Sequence, residues 1–148
     1  MDQRSYDLDD ESVVMGAYNE AEAIGPVLDD IEAATDGRAE VVVVDSSDDG
    51  TGDIARESGA RVVDQPPSGY GAAVRRALYE ASNPVRITTD CDGTYPMDRI
   101  PDFLALINDG YDVVSGDRLY HGADTMPAMN RLGNRAFAAV ASALGGHT

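Results

Sequence analysis

The sequence has no lysine, no tryptophan and only one cysteine, Cys91. A single cysteine excludes an intramolecular disulfide and fits a reducing compartment. No apolar run approaches the roughly 18 residues of a membrane-spanning helix, because the longest, residues 136–144, also contains a serine. Residues 1–11 are acidic and polar, so they do not have the pattern of a signal peptide. These absences predict a soluble protein of the cytoplasm.

Positive charge is also scarce. The 148 residues carry 11 basic side chains, all arginine, against 27 Asp and Glu, for a net charge of -16. A negative field of this size argues against nucleic acid and against anionic membrane surfaces as partners. The acids are spread along the whole chain, which is typical of adaptation to very high salt, where the screening length falls to about 3 Å. We therefore predict a halophilic protein whose surface acids are mostly solvated.

Apolar segments of two kinds alternate along the chain, which is long enough for one domain. Strands are predicted over residues 12–17, 40–45, 61–64, 84–90 and 112–116, and helices over 20–35, 49–58, 72–81, 98–108 and 128–144. The four consecutive valines of the second strand are typical of a strand buried on both faces. This order predicts an α/β fold with a mostly parallel central sheet flanked by helices.

Polar clusters follow the predicted strands where each ends. They are Tyr18-Asn19-Glu20, the stretch Asp45-Ser46-Ser47-Asp48-Asp49-Gly50-Thr51, Gly69-Tyr70-Gly71, Asp90-Cys91-Asp92 and Asp117-Arg118. In open parallel sheets, ligands bind beyond the carboxyl ends of the strands. We therefore expect these clusters to meet at one edge of the sheet and to form a binding site there.

Asp90 and Asp92 are the most informative pair. Two carboxylates one residue apart, before a bend at Gly93, suit a hard divalent cation that bridges to substrate phosphates. An acidic turn that caps the next helix is the alternative. Cys91, between them, is expected to point into the core as a small apolar residue.

Asp45 and the glycines around Tyr70 carry weaker signals. A carboxylate at the end of the second strand can accept a hydrogen bond from a nucleobase or from a ribose hydroxyl, or it can cap the second helix. Gly69 and Gly71 would let the backbone approach a ligand closely, or they form a plain turn. They do not match the dinucleotide fingerprint, because they do not join the first strand to the first helix.

Asp90-x-Asp92-Gly93-Thr94 also matches the D-x-D-G-T motif of haloacid-dehalogenase-type phosphatases. In that family the motif usually follows the first strand, whereas here it follows the fourth. The chain also has no lysine to complete such a site. This alternative is the weaker one.

Taken together, the clusters resemble family 2 glycosyltransferases of the GT-A fold from about Ser12 to Leu144. The resemblance is greatest to dolichyl-phosphate (polyprenyl-phosphate) mannose and glucose synthases. It implies a Rossmann-like nucleotide-sugar-binding fold that uses Mg²⁺ or Mn²⁺. It also implies inverting transfer of a hexose from UDP-glucose or GDP-mannose to polyprenyl phosphate, at the inner face of a membrane. A soluble acceptor such as phosphoglycerate, and a module that binds the nucleotide sugar without transfer, stay open.

The same resemblance assigns roles to individual residues. Asp90 and Asp92 would be catalytic, and Asp92 with Thr94 would hold the metal. The nucleotide sugar would contact Ala17, Tyr18, Glu20, Asp45, Ser47, Gly71, Asp90 and Cys91. Arg118, Arg131 and Asn134 would bind the acceptor phosphate, which suits the bidentate geometry of arginine, although the arginines could instead form surface ion pairs. A phosphate acceptor is already anionic, so no strong general base is required.

The sequence departs from the family pattern in two places. The loop after the second strand is one residue shorter than usual and has Ser46 where the family has a second Asp, which affects contacts to the base. The chain also ends where the family usually continues with a further strand and covering helices. We therefore expect residues 1–148 to form a single GT-A-type domain without the C-terminal part of the family domain.

Overall fold

A computed structural model describes residues 4–116. The strands are β1 (Glu11–Ala17), β2 (Glu40–Asp45), β3 (Arg61–Asp64) and β4 (Val85–Thr88), and the helices are α1 (Ile24–Thr35), α2 (Thr51–Glu57), α3 (Tyr70–Glu80) and α4 (Ile100–Asn108). Short 3-10 helices cover Leu8–Asp10 and Met97–Arg99. The described residues up to Val114 belong to one compact unit. The single domain expected over 1–148 stays a prediction.

The four strands form one sheet in the order β3-β2-β1-β4, and every pairing is parallel. Val13 of β1 pairs with Val41 on one side and with Ile87 on the other. Because β1 lies between its partners, the carboxyl ends of β1, β2 and β4 meet at one edge. The predicted α/β fold with a parallel sheet is therefore confirmed.

Helices cover both faces of the sheet. Successive side chains of a strand point to opposite faces, so Val13 and Met15 pack on one side while Val14 packs on the other. The first side holds α1, α2 and the start of α4. On the second side, Val14, Val42 and Val44 pack against Ala73 and Ala77 of α3. The valine run of β2 is buried on both faces, as its composition predicts.

Two helices begin at other residues than predicted. Helix α1 begins at Ile24 and not at Glu20, because residues 21–23 form a turn; the backbone N–H groups of Glu20 and Ala21 donate to the side chains of Thr51 and Asp49. Helix α3 begins at Tyr70, before the predicted residue 72. Gly69 precedes it with φ 90°, a conformation that glycine adopts without strain.

The predicted fifth strand is wrong. Residues 112–116 form no strand, and Val113 is 84% exposed. The apolar residues of this segment are two valines, and the others are polar or glycine. Pairing the segment with the sheet would therefore bury little apolar surface. Arg4 instead holds this segment at Asp112 and at the carbonyl of Tyr111. The predicted helix over 128–144 lies outside the described residues.

Strand β4 is shorter than the predicted 84–90, since it begins at Val85 and ends at Thr88. The N–H of Thr89, just after the strand, donates to the carbonyl of Val14. Within residues 4–116, no helix combines the length and the hydropathy needed to cross a membrane.

Candidate functional site

A cavity of about 510 Å³ opens at the carboxyl ends of β1 and β4, beside the first turn of α3. Its lining residues are Gly16, Ala17, Tyr18, Glu20, Ser46, Pro67, Gly69, Tyr70, Ala73, Asp90, Cys91 and Asp92. They come from four separate chain segments. The expectation that polar clusters converge at this edge is correct for the clusters in the described residues.

Close packing of α3 on β1 forms one wall of the cavity. A Cβ at Gly16 would lie 2.8 Å from the Cβ of Ala73, closer than real side chains approach. Because both residues are small, the start of α3 can pack closely on the end of β1. This contact determines where Gly69 and Tyr70 stand beside the cavity.

Asp90 is held by a phenol. The hydroxyl of Tyr70 donates to Oδ1 of Asp90 at 2.6 Å, a short distance that is typical of a hydrogen bond to a carboxylate. This bond, together with partial burial, raises the pKa of Tyr70 to about 12. The phenol therefore stays protonated, and stays a donor, throughout the range in which the protein would work.

Asp92 is held by its own turn. Oδ1 accepts from the backbone N–H of Thr94 at 3.0 Å and from its hydroxyl at 2.7 Å. The turn passes through Gly93 with φ 78°. These two hydrogen bonds order the Asp92 carboxylate. Because Asp92 is exposed, the carboxylate is still open to a ligand.

The alternative reading of this turn as a helix cap is wrong. Pro96 precedes the 3-10 helix Met97–Arg99 and Arg99 precedes α4, and neither helix start has a side-chain cap.

Cys91 points into the core, as predicted. It is 4% exposed, and its thiol lies 3.4 Å from the carbonyl oxygen of Gly16. Burial, followed by the nearby charge of Glu20, raises the pKa of the thiol to about 12. The side chain is therefore an uncharged part of the cavity wall that fixes the backbone between the two aspartates.

Two loops at this edge are clamped together. The N–H of Asn19 donates to Oγ of Ser47 at 2.8 Å, and Oδ1 of Asn19 accepts from the N–H of Asp48 at 3.2 Å. The N–H of Glu20 donates to the hydroxyl of Thr51 at 3.0 Å. The clamp holds the Tyr18–Glu20 loop against the segment from Ser47 to Thr51, and Glu20 lines the cavity.

Asp45 is buried and lies beside the cavity without lining it. Its Oδ1 accepts from the N–H of Ser47 at 3.1 Å, and a Cβ at Gly52 would lie 2.3 Å from its Oδ2. The carboxylate therefore packs against the first turn of α2. It is not the N-cap of α2, because that position is Gly50 and has no side-chain cap.

The predicted site residues divide into three groups. Those that line the cavity are Ala17, Tyr18, Glu20, Asp90, Cys91 and Asp92, and those that lie near it without lining it are Asp45, Ser47, Gly71 and Thr94. Arg118, Arg131 and Asn134 lie outside the described residues. Six lining residues were not predicted as site residues, namely Gly16, Ser46, Pro67, Gly69, Tyr70 and Ala73, although Ser46, Gly69 and Tyr70 belong to the predicted polar clusters. The Gly-Tyr-Gly motif was the available signal for Tyr70.

Comparison with known proteins identifies the family. The family model described as "Glycosyl transferase family 2" matches residues 12–141. The chain belongs to glycosyl transferase family 2. This membership gives no support to the phosphatase alternative.

Several curated proteins are similar to this family 2 chain. It is 63% identical, over 97% of its length, to a dolichyl-phosphate hexose transferase of Haloferax volcanii, and it spans 63% of that protein. It is 40% identical to the glycosyltransferase AglJ of the same organism over 83% of its length, which is 41% of AglJ. The chain thus spans about two fifths to three fifths of the length of these relatives.

Solved structures confirm the GT-A fold. The mannosyltransferase PcManGT of Pyrobaculum calidifontis, in complex with GDP-Man and Mn²⁺, is 30% identical with a TM-score of 0.54 over 64% of this chain and 32% of that one. S. aureus TarS is 28% identical with a TM-score of 0.56 over 67% of this chain and 19% of that one.

Proposed function

We propose that this family 2 glycosyltransferase moves a hexose from a nucleotide sugar, UDP-glucose or GDP-mannose, to polyprenyl phosphate. The observation that carries the proposal is the composition of the cavity. Glu20, Asp90 and Asp92 are its three charged lining residues, and no basic side chain lines it within residues 4–116. The 63% identity to a dolichyl-phosphate hexose transferase supports the choice of acceptor.

This charge pattern favours a metal-dependent donor site. A nucleoside diphosphate brings further negative charge to three carboxylates, so binding requires a compensating cation. No group of three His, Cys, Asp or Glu forms a metal cage in the part of the chain that the structure describes. Magnesium commonly binds through one or two carboxylates and completes its shell with substrate phosphates and water. Asp92, an exposed carboxylate at the cavity, fits that donor set.

Mg²⁺ or Mn²⁺, held by Asp92, would offset the charge that develops on the departing nucleoside diphosphate, while Asp90 would contact the donor. Thr94 would contribute by fixing the Asp92 carboxylate through the two hydrogen bonds to Oδ1. Tyr18 and Glu20, held by the loop clamp, would contact the base and ribose together with Ala17. Asp45, Ser47 and Gly71 would complete the surroundings of the donor.

The acceptor would supply the nucleophile. An oxygen of the acceptor phosphate attacks the anomeric carbon, the bond from that carbon to the diphosphate oxygen breaks, and the sugar configuration inverts. The attacking oxygen is already anionic, so no side chain has to remove a proton. Arg118, Arg131 and Asn134 would hold the acceptor phosphate. Their assignment rests on the family resemblance, and a polyprenyl-phosphate acceptor would bring the reaction to the inner face of a membrane.

A transfer assay tests the proposal. The protein is incubated in molar KCl with radiolabelled UDP-glucose or GDP-mannose, Mn²⁺ and polyprenyl phosphate in detergent, and labelled lipid is measured. We expect labelled lipid with one of the donors and none after EDTA. Phosphoglycerate in place of the lipid separates a soluble acceptor from a membrane one.

The matched variant is Asp92→Asn, which keeps an oxygen that can accept from Thr94 but removes the charge. Transfer that survives both EDTA and this substitution would contradict the metal site. Donor binding without transfer to either acceptor would instead identify a nucleotide-sugar-binding module.

A further inference from the structure

Tyr70 lines the cavity, although the family resemblance assigned it no role. Its ring is 65% exposed at the cavity, yet its hydroxyl is fixed on Oδ1 of Asp90. An exposed ring gains little from burial, so the hydroxyl contact is what determines where this side chain stands. The bond joins the first turn of α3 to the segment after β4, 20 positions away in the sequence.

The backbone on the tyrosine side is rigidly placed. Gly69 has φ 90° and ψ 158°, which lets the chain turn into α3 directly at Tyr70. One turn later, Ala73 packs against Gly16 of β1 so closely that Gly16 could not carry a side chain without a shift. The phenol therefore projects from a fixed helix start.

The backbone on the aspartate side is also fixed. The N–H of Thr89 donates to the carbonyl of Val14 at 3.1 Å, and the buried thiol of Cys91 contacts the carbonyl of Gly16. The Asp90 side chain, by contrast, is half-buried and could rotate. In the described part of the chain, the phenol of Tyr70 is the hydrogen-bond donor to its carboxylate.

We propose that Tyr70 is a positioning residue that fixes the Asp90 carboxylate through Oδ1 and so leaves Oδ2 for the nucleotide-sugar donor. This inference rests on the proposed function and adds a residue to its donor site. Partners that orient the groups at a binding centre change affinity or activity by about 10-fold to 100-fold when they are removed. Since Tyr70 makes a single such bond, we expect an effect near the lower end of that range.

Tyr70→Phe is the direct test, because it removes the hydroxyl and keeps the ring. Tyr79→Phe is the matched control: Tyr79 lies on the same helix, is 83% exposed and lines no part of the cavity. We expect Tyr70→Phe to weaken calorimetric donor binding in the presence of Mn²⁺ by about 10-fold and to raise KM more than it lowers kcat. Tyr79→Phe should match the wild type in both measurements.

A double-mutant cycle shows whether Tyr70 acts through Asp90. Asp90→Asn should weaken donor binding further than Tyr70→Phe, and adding Tyr70→Phe to Asp90→Asn should change little more. Independent, additive losses would overturn the inference, since they would mean that Tyr70 acts without Asp90.

A readout without donor or metal completes the test. The tyrosine ring carbons are labelled and followed by NMR during a pH titration, and the Tyr70 signal is assigned by its loss in Tyr70→Phe. Asp90→Asn should lower the pKa of the Tyr70 phenol from about 12 towards its ordinary value of 10. An unchanged titration would show that the hydrogen bond does not form.

The two proposals fail in distinguishable ways. If the wild type binds and transfers the sugar while Tyr70→Phe equals it, the inference alone is overturned. If the wild type binds no donor, the proposed function is overturned, and the inference with it.

Discussion

The two ends of the parallel sheet treat polar side chains in opposite ways. At the amino end, Oε1 of Glu40 accepts from the hydroxyl of Ser12 at 2.7 Å and from the N–H of Ser82 at 2.8 Å. The amide of Asn83 donates to the carbonyl of Glu11 at 2.8 Å. These bonds tie the start of β1 to the start of β2 and to the loop before β4. Polar groups at this end satisfy one another inside the protein.

At the carboxyl end, the hydrogen bonds given within the protein do not use every carboxylate oxygen. Asp90 and Asp92 each use Oδ1 for a partner within the protein, and both side chains stay open to the cavity. The same residue types therefore stabilise one end of the sheet and prepare the other for a ligand. The difference teaches that ordered carboxylates that face a cavity, rather than carboxylates as such, distinguish a candidate site.

One group breaks this pattern. The Glu11 side chain, at the amino end, is fully buried, and neither of its oxygens has a hydrogen-bond partner among the described residues. Burial, and secondarily the charge of Asp7, raises the pKa of this carboxyl to about 7. This carboxyl has no hydrogen-bond partner among the described residues, although the other polar groups named at the amino end of the sheet do. A substitution at Glu11 therefore tests the comparison between the two ends directly.

The largest effect is expected at Asp92. Asp92→Asn should reduce sugar transfer by about 100-fold to 1000-fold, because it removes the negative charge that would hold the cation at the reacting diphosphate. The variant should unfold at the same temperature as the wild type, since the side chain is exposed and the amide oxygen can still accept from Thr94. Steady-state kinetics and thermal unfolding measure the two expectations. A large loss of stability would assign Asp92 a structural role instead.

Glu11→Gln should stabilise the protein. The folded state keeps a proton on Glu11 that the unfolded chain has lost, so the free energy of unfolding falls as the pH rises from about 4.5 to about 7. Above that range the cost of ionising the buried carboxyl is about 3 kcal/mol. Gln cannot ionise, so its advantage should grow over that window and then stay constant.

Denaturant unfolding between pH 4.5 and 8 checks this expectation, and donor binding should not change. A stability difference between Glu11→Gln and the wild type that is the same at both ends of the range would show that Glu11 is not ionised at a cost in the folded state.

Gly16→Ala should cost about 1–3 kcal/mol of stability, because the new methyl group meets the Cβ of Ala73. It should also displace the start of α3 and weaken donor binding. Adding Ala73→Gly should restore part of both. Gly25→Ala is the control, since its Cβ would make only an ordinary contact with Ile54 at 3.7 Å. Equal unfolding midpoints for Gly16→Ala and the wild type would argue against this packing.

The smallest effect is expected on the surface of the amino end. Arg38 pairs with Asp7 and Asp9 at 2.7 Å, but all three side chains are exposed and salt screens such pairs. Arg38→Gln should lower the melting temperature slightly in dilute buffer and not at all in molar KCl. A loss that persists in molar KCl would mean that the pair is not solvent-screened.

The sequence predicted the parts of the fold that follow from local patterns. The bounds of β2 and β3 are those expected, and strand-helix alternation alone was enough to place the Glu20, Asp90 and Asp92 clusters at one edge. The family resemblance added the roles of these residues.

What the sequence missed depends on contacts across the chain. The backbone before α1 donates to the side chains of Thr51 and Asp49, and the role of Tyr70 depends on a phenol that reaches Asp90 from another element. The fifth strand was predicted from two valines, although strand formation also needs a buried surface, and Val113 has none. Local periodicity contains no information about such partners.

Calorimetric binding of UDP-glucose and GDP-mannose in molar KCl, with and without Mn²⁺, tests the central claim most directly. The account predicts that one donor binds when Mn²⁺ is present, that binding disappears with EDTA, and that Asp92→Asn abolishes it. Equal binding with and without the metal, or undiminished binding by Asp92→Asn, would contradict the claim that the open carboxylates at this edge bind the donor through a cation.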